Sequence, residues 1–211
     1  KRYIRKDGSV LWVRKIALGT YGFRGELQFA IAMIEDITDS KRTELALRES
    51  EGRFRQVVDV FRDETSAGDL RPMVGVIGMS TANIVERLRY AHEAGFRRFQ
   101  ISFPPWGALQ ESEVERFFAD VCGAFPDSVF LHYNLGRSGR LMGGRDYARI
   151  LPGLPNLVAT KSTTGGSAGV EDLLTGAPEL QHFLGEVDLP AGSLLGECSL
   201  LASYAHLSPV R

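Results

Sequence analysis

The hydrophobic positions of this chain change their period part-way along. Residues 1 to 40 alternate apolar with polar, as antiparallel strands with one solvated face do. Tyr3-Ile4-Arg5-Lys6 leads into Asp7-Gly8, a strong short-range hairpin signal, and Ser9 to Ile16 resumes the strand. Gly19 to Gly25 reads as a turn region and Gln28 to Ile34 as a third strand. Glu35-Asp36-Ile37-Thr38-Asp39 ends that strand and supplies helix-capping side chains. A charged helix is expected over 40–61. On it Leu47, Phe54 and Phe61 recur every seven residues, with Val57 and Val58 alongside. This single apolar stripe fits a short coiled coil and equally an amphipathic helix packed on its own domain. Gly52 weakens the helix.

From Arg71 onward, short apolar runs alternate with helical patterns. Strands are expected at 73–78, 99–103, 129–133, 157–162, 183–185 and 199–204. Helices are expected at 81–94, 111–124, 145–151 and 170–174. Strand–helix repeats at this spacing imply right-handed βαβ units and a parallel sheet, so the fold class is α/β. A doubly wound sheet and a (β/α)8 barrel both fit. Gly75-Val76-Ile77-Gly78-Met79-Ser80 has the wrong spacing for a dinucleotide-binding loop. That favours the barrel, whose chemistry sits at the C-terminal strand ends.

Composition narrows the function classes. The 211 residues carry a formal net charge of -1, so no electrostatic footprint for nucleic acid or an anionic membrane is visible. The apolar runs are far short of a membrane span, and no signal peptide opens the chain. Cys122 and Cys198 are the two cysteines, without metal-type spacing. Reduced packing cysteines fit a cytoplasmic protein, and neither a metal nor a cofactor is expected. The chain opens on Lys1 inside a strand-like pattern, as would a piece of something longer.

The polar residues at the expected strand ends form a set. Ser80 and Thr81 follow the first parallel strand, and Pro104-Pro105-Trp106 the second. Tyr133-Asn134 ends the third, with Arg137 just beyond. Lys161 closes the buried, β-branched fourth strand, and Thr163, Thr164, Gly165 and Gly166 follow it. Gly185-Glu186 ends the fifth. A lysine in an apolar pocket loses hydration, which disfavours its charged form and makes it a nucleophile towards carbonyls. The plainer reading is a lysine that snorkels to water. Tyr133 lies on the neighbouring strand, where a phenol can shuttle protons during imine formation; it also fits a packed tyrosine with a wet hydroxyl. Arg137 can hold a carboxylate bidentately. His132 points to the opposite face of its strand from Tyr133, which gives it a structural role. His92, His182 and His206 show no partner pattern. Glu111, Glu113 and Glu115 read as a solvated helix face.

Two resemblances follow from these residues. Tyr3 to Ser9 with Trp12-Val13, then Glu35-Asp36-Ile37-Thr38-Asp39-Ser40-Lys41-Arg42, resembles the C-terminal part of a PAS sensor domain. Glu49-Ser50-Glu51-Gly52-Arg53-Phe54-Arg55 is similar to the stretch that often opens a following PAS unit. The front half of a PAS fold has no counterpart here, and no sensory ligand is assigned. The later segment resembles the dihydrodipicolinate synthase and N-acetylneuraminate lyase family. The residues that carry this are Gly75 to Thr81, Ala91-His92-Glu93-Ala94-Gly95-Phe96, Phe103-Pro104-Pro105-Trp106, Leu131 to Gly139, and Pro155 to Lys161. Members of that family are (β/α)8 barrels that form an imine between a lysine and pyruvate or a related 2-oxo acid.

By this resemblance Lys161 is the Schiff-base candidate and Tyr133 the proton-relay candidate. Arg137, Thr163 and Gly185 are substrate-binding candidates, with Arg140 a rival to Arg137. The implied partners are a small 2-oxo acid, an aldehyde and further copies of the chain. The chain also departs from the family. Nothing matches the first two barrel strands or their carboxylate-binding Gly-Thr-Thr-Gly-Glu turn. Gly107 stands where synthases carry a second relay tyrosine, and the last helices have no counterpart. The expected architecture is therefore about six of eight strands, a partial barrel at 71–211. It follows a PAS-like segment at 1–40 and a helical linker at 41–70. Such an open barrel is expected to be marginal unless something covers its edges. Two rival readings remain: a signalling module with an inert barrel and a dimerising helix, or a join of two unrelated gene pieces.

Overall fold

The structure is a computed structural model; it describes residues 1–21, 27–68, 70–163 and 166–201, with backbone alone at 17–21 and 27–33. Its backbone contacts divide the chain into two compact units, Lys1–Phe54 and Arg55–Arg211. The division falls inside a helix, between the sequence-based limits at 40 and 70.

The first unit is a three-stranded antiparallel sheet in the order β1 (Arg2–Ile4), β2 (Val10–Tyr21), β3 (Leu27–Asp36). The Asp-Gly turn forms as expected. Ile4 pairs with Val10, Gly8 takes the left-handed φ of 83° that the turn needs, and Asp7 Oδ1 accepts from the Ser9 N–H. β2 continues to Tyr21, past the expected turn start at Gly19; most of that turn lies outside the described residues. Helix α1 (Thr38–Thr65) begins at the Asp-Ile-Thr turn. There the Thr38 N–H donates to Asp36 Oδ1 at 2.9 Å, and the Trp12 N–H donates to Thr38 Oγ1 at 2.9 Å. Gly52 does not interrupt the helix, which carries the exposed i,i+4 pairs Glu44–Arg48 and Glu49–Arg53.

The second unit holds six parallel strands: β4 (Val74–Val76), β5 (Arg98–Ile101), β6 (Val129–Asn134), β7 (Leu157–Ser162), β8 (Gln181–Leu184) and β9 (Ser199–Leu200). Their order in the sheet is their order in the chain. A doubly wound sheet reverses direction at a switch point, and this one never does. Right-handed crossovers that always step the same way place every connecting helix on the same side. The architecture is thus an arc of a (β/α)8 barrel, which decides between the two folds the sequence allowed. The helices are α2 (Thr81–Glu93), α3 (Glu111–Cys122), α4 (Gly144–Ile150), α5 (Ser167–Gly176) and α6 (Leu189–Leu195). α6 was not expected from its short Pro- and Gly-containing sequence; Pro190 suits its first turn, where the missing N–H costs nothing.

The core lies between the sheet and these helices. Phe103 packs edge-on against Phe117 and Phe118, with Ile84, Leu88, Phe99, Ile101 and Phe130 also fully buried. The opposite, concave face is only partly covered. Met73, Val129 and Val158 are exposed around a hollow of about 320 Å³ that Leu131, Ala159 and Phe183 also line. The second half of α1 joins this unit. Val58 is 2% exposed, Phe61 stacks on Phe96 with centroids 5.5 Å apart, and the Tyr90 hydroxyl donates to Asp59 at 2.7 Å. This corrects the single-stripe reading of the helix: Val58 and Phe61 face inward, whereas Leu47 and Val57 remain exposed.

Candidate active site

β6 and β7 pair so that Tyr133 stands opposite Lys161. Strand alternation sends Leu131, Tyr133, Ala159 and Lys161 to the concave face. It sends His132, Asn134, Thr160 and Ser162 to the helix face, where all four are buried. Lys161 Nζ lies 4.6 Å from the centroid of the Tyr133 ring. Both side chains are half-buried at the C-terminal end of the barrel arc. Lys161 is not enclosed in an apolar pocket; its half-exposure matches the plainer reading of a lysine that reaches water, because the concave side stays open. The ring face of Tyr133 meets the amine, and no hydrogen bond joins the Tyr133 hydroxyl to Lys161 among the described residues.

Asn134, a strand-end polar group in the sequence, does a different job. It is buried, its Nδ2 donates to Met142 O at 2.8 Å and Ser162 Oγ at 3.1 Å, and its Oδ1 accepts from the Met142 N–H at 2.9 Å. These bonds pin the loop that includes the 3-10 turn Gly136–Ser138, which Gly139 closes with a left-handed φ of 75°. Arg137 projects from this turn, exposed and without an ion pair or hydrogen bond among the described residues. Arg140 is engaged instead: it donates to Leu109 O at 2.9 Å and Asp146 Oδ1 at 3.3 Å, with a side chain 19% exposed. The two arginines that sequence spacing left as rivals are therefore unlike. Arg140→Ala should lower stability by about 1–2 kcal/mol through its charged, half-buried hydrogen bonds. Arg137→Ala should leave the thermal midpoint unchanged. Paired thermal melts check both.

Thr163 is exposed, and its N–H donates to Asn134 O at 3.2 Å. Thr164 and Gly165 lie outside the described residues. The Gly185 carbonyl accepts from the N–H groups of Asp188 and Leu189 and so turns the chain out of β8. A Cβ built on Gly185 meets nothing within 4 Å. Thr163, Gly166 and Gly185 to Asp188 line a cleft of about 480 Å³ at the C-terminal ends of β7 and β8. Lys161 and Tyr133 thus come together; Thr163 and Gly185 share a cleft that neither of those two lines, and Arg137 stands on the loop after β6.

His132 is structural in its surroundings, as its place on the strand implies. Its Nδ1 lies 2.8 Å from the Tyr147 hydroxyl, and the ring packs among Phe103 and Phe118. Burial without a charged partner pushes its pKa down from 6.5 to about 3. The unfolded chain therefore binds a proton at His132 that the folded chain refuses. His132 favours the fold fully above pH 6.5, and this contribution is lost progressively as pH falls towards 3. His182, also lowered by burial, acts in the same direction. The His132 ring should keep its neutral nitrogen shifts well below pH 6.5 in NMR spectra of the folded protein. A midpoint near the ordinary value contradicts this.

His92 and His182 have partners that only the fold supplies, and His206 lies outside the described residues. His92 Nε2 lies 2.8 Å from Asp127, and His182 bridges Thr160 Oγ1 and Ala177 O. Strand register is the signal for the second of these: Thr160 stands opposite His182. Glu111 and Glu115 pair with Arg149 on the surface, while Glu113 accepts from the Gln110 N–H that starts α3. Cys122 and Cys198 are both free, and burial pushes the Cys122 thiol up to about 12, so it is unreactive. Among the described residues no cluster of His, Cys, Asp or Glu is built to hold a metal, and no helix is long and apolar enough to cross a membrane.

Known proteins resemble this arrangement. Over 111 residues the chain is 27% identical to a 4-hydroxy-tetrahydrodipicolinate synthase of Thermus thermophilus, across 52% of this chain and 37% of that protein. A prophage protein of the dihydrodipicolinic acid synthase family from E. coli K12, solved in complex with pyruvate, superposes with a TM-score of 0.67 at 17% identity. That match covers 74% of this chain and 54% of the other. The synthase from Cyanidioschyzon merolae, solved with lysine bound, matches with a TM-score of 0.62 at 20% identity, over 70% and 51% of the two chains. The fold is that of the dihydrodipicolinate synthase family. The match spans 37% of the length of the curated relative and about half of the solved ones. No family model matches the chain, so the PAS resemblance of residues 1 to 56 rests on its own motif.

Proposed function

We propose that the barrel forms an imine between Lys161 and a 2-oxo acid of the pyruvate class, as a class I lyase. The observation that carries this is the pairing of Lys161 with Tyr133 on adjacent parallel strands, amine over ring at 4.6 Å, at the catalytic end of a synthase-type barrel. In this reading the Lys161 amine adds to the carbonyl carbon, and the carbinolamine loses water to give the imine. Tyr133 passes the proton that the nitrogen gives up to the departing hydroxyl. Arg137 holds the carboxylate by its guanidinium fork, and Thr163 and Gly185, at the C-terminal ends of β7 and β8, contact the rest of the substrate. Loss of a proton from the carbon beside the imine gives an enamine, which adds to an aldehyde or is released. The pyruvate complex of the E. coli relative supports the substrate class. The open concave face admits water to the amine, so the expected rate lies below that of a closed barrel.

The same proposal assigns 1–40 to the end of a PAS domain, 41–70 to a helical linker and 71–211 to the barrel. The three antiparallel strands and the helix that starts at Asp36-Ile37-Thr38 support the first assignment. The second reading, an inert barrel behind a dimerising helix, is favoured by the exposed apolar residues Leu47, Val57 and Val60 on α1. Proton NMR of pyruvate in D2O separates the two. A lyase exchanges the pyruvate methyl protons for deuterium faster than a protein-free control, and an inert barrel does not.

A further inference from the structure

We propose that α1 pairs with the same helix of a second copy, antiparallel, through the stripe Arg53, Val57, Val60 and Glu64. Helical geometry puts these four residues within about 60° of one another around the helix. Val57 and Val60 are 66% and 55% exposed, although Val58 and Phe61 beside them are turned inward. Gln56, Val57, Val60, Phe61 and Glu64 line a surface hollow of about 410 Å³. Nothing among the described residues fills it. The two valines lie side by side on adjacent turns and form one apolar patch bordered by polar residues, the pattern of an interaction site.

The order of the stripe names the occupant. Read from either end, its steps are four, three and four residues. A two-fold axis midway between Val57 and Val60 therefore lays Val57 on Val60 of the second copy and Arg53 on Glu64 of the second copy. A two-fold interface must be complementary to itself, and this stripe is: apolar at its centre, opposite charges at its two ends. Both charges are accessible. The Arg53 side chain is 69% exposed and, among the described residues, reaches Glu49, one turn away, at 3.3 Å. Glu64 is exposed, with no partner among the described residues. A parallel pairing in register would instead set Arg53 near Arg53 and Glu64 near Glu64. The charges thus select the antiparallel arrangement.

The experiment is sedimentation velocity on the full chain and its variants, with helicity followed by circular dichroism. The wild-type protein should be a concentration-dependent dimer in the micromolar range, and a monomer throughout that range overturns the proposal. Val57→Glu with Val60→Glu should abolish the dimer at unchanged helicity; a persistent dimer overturns it. Arg53→Glu alone, and Glu64→Arg alone, should each weaken the dimer on the order of tenfold, because each sets two like pairs against one another. These single-variant losses decide the register, because a parallel pair already sets like charges together and neither change weakens it; a further measurement mixes the two variants in equal amounts. One copy then carries two acidic ends and the other two basic ends, so both pairs are restored and heterodimers form. Folded variants that remain monomeric when mixed contradict the antiparallel register. No arm of this test depends on imine chemistry.

Discussion

Lys161→Ala is expected to abolish deuterium exchange into pyruvate while leaving the fold intact. The exchange passes through an enamine, and the enamine requires a covalent bond to a primary amine. No second lysine stands at the strand ends: the chain's other lysines all lie at or before Lys41, in the first unit. The loss should therefore be complete rather than partial. Stability should change little. Lys161 is half-buried, and the contact it gives up is an amine over a ring, worth about 0.5–1 kcal/mol at a partly exposed site. Lys161→Arg separates nucleophile from charge. It keeps a cation beside Tyr133 and cannot form the imine, so its exchange should also fall to the protein-free rate. Residual exchange in either variant, above the protein-free rate, means that the chemistry lies elsewhere.

Tyr133→Phe has the second largest expected effect: a fall in the exchange rate on the order of a hundredfold. Phenylalanine keeps the ring that lies under the amine and removes only the hydroxyl. Positioning of Lys161 is thereby preserved, and only proton transfer to and from the carbinolamine is lost. The imine should still form, slowly, so that prolonged incubation with pyruvate recovers the covalent adduct. The effect should appear in kcat with KM nearly unchanged, because the hydroxyl is used in the transition state and not in binding. The plainer view of Tyr133 is a packed tyrosine with a wet hydroxyl, and that view predicts no change in rate.

The parts of the molecule legible in the sequence are those fixed by local pattern. The Asp7-Gly8 hairpin, the start of α1 and the bounds of β7 follow from turn chemistry and strand composition. The adjacency of Tyr133 and Lys161 also follows, because consecutive parallel strands at equal depth bring their ends together. What escaped the sequence depends on long-range register. Nothing local tells that Asn134 turns inward to hold Met142 and Ser162, or that Arg140 is taken up by Leu109 and Asp146 while Arg137 stays exposed. The sequence left Lys161 open between an apolar pocket and a lysine that reaches water, and the choice depends on the same long-range packing. A β-branched run reads as buried, but burial on the concave side depends on what lies across from the strand, which no local pattern states. The heptad spacing of α1 merged two stripes, one of which packs on α2 through Asp59 while the other faces outward.

The central claim is a covalent one, and borohydride trapping tests it most directly. The full chain is incubated with pyruvate, reduced, digested and mapped by mass spectrometry. The account predicts one reduced pyruvyl group on the peptide that contains Lys161 and none in the Lys161→Ala variant. An unmodified Lys161 peptide, or label spread over the lysines of the first unit, contradicts it.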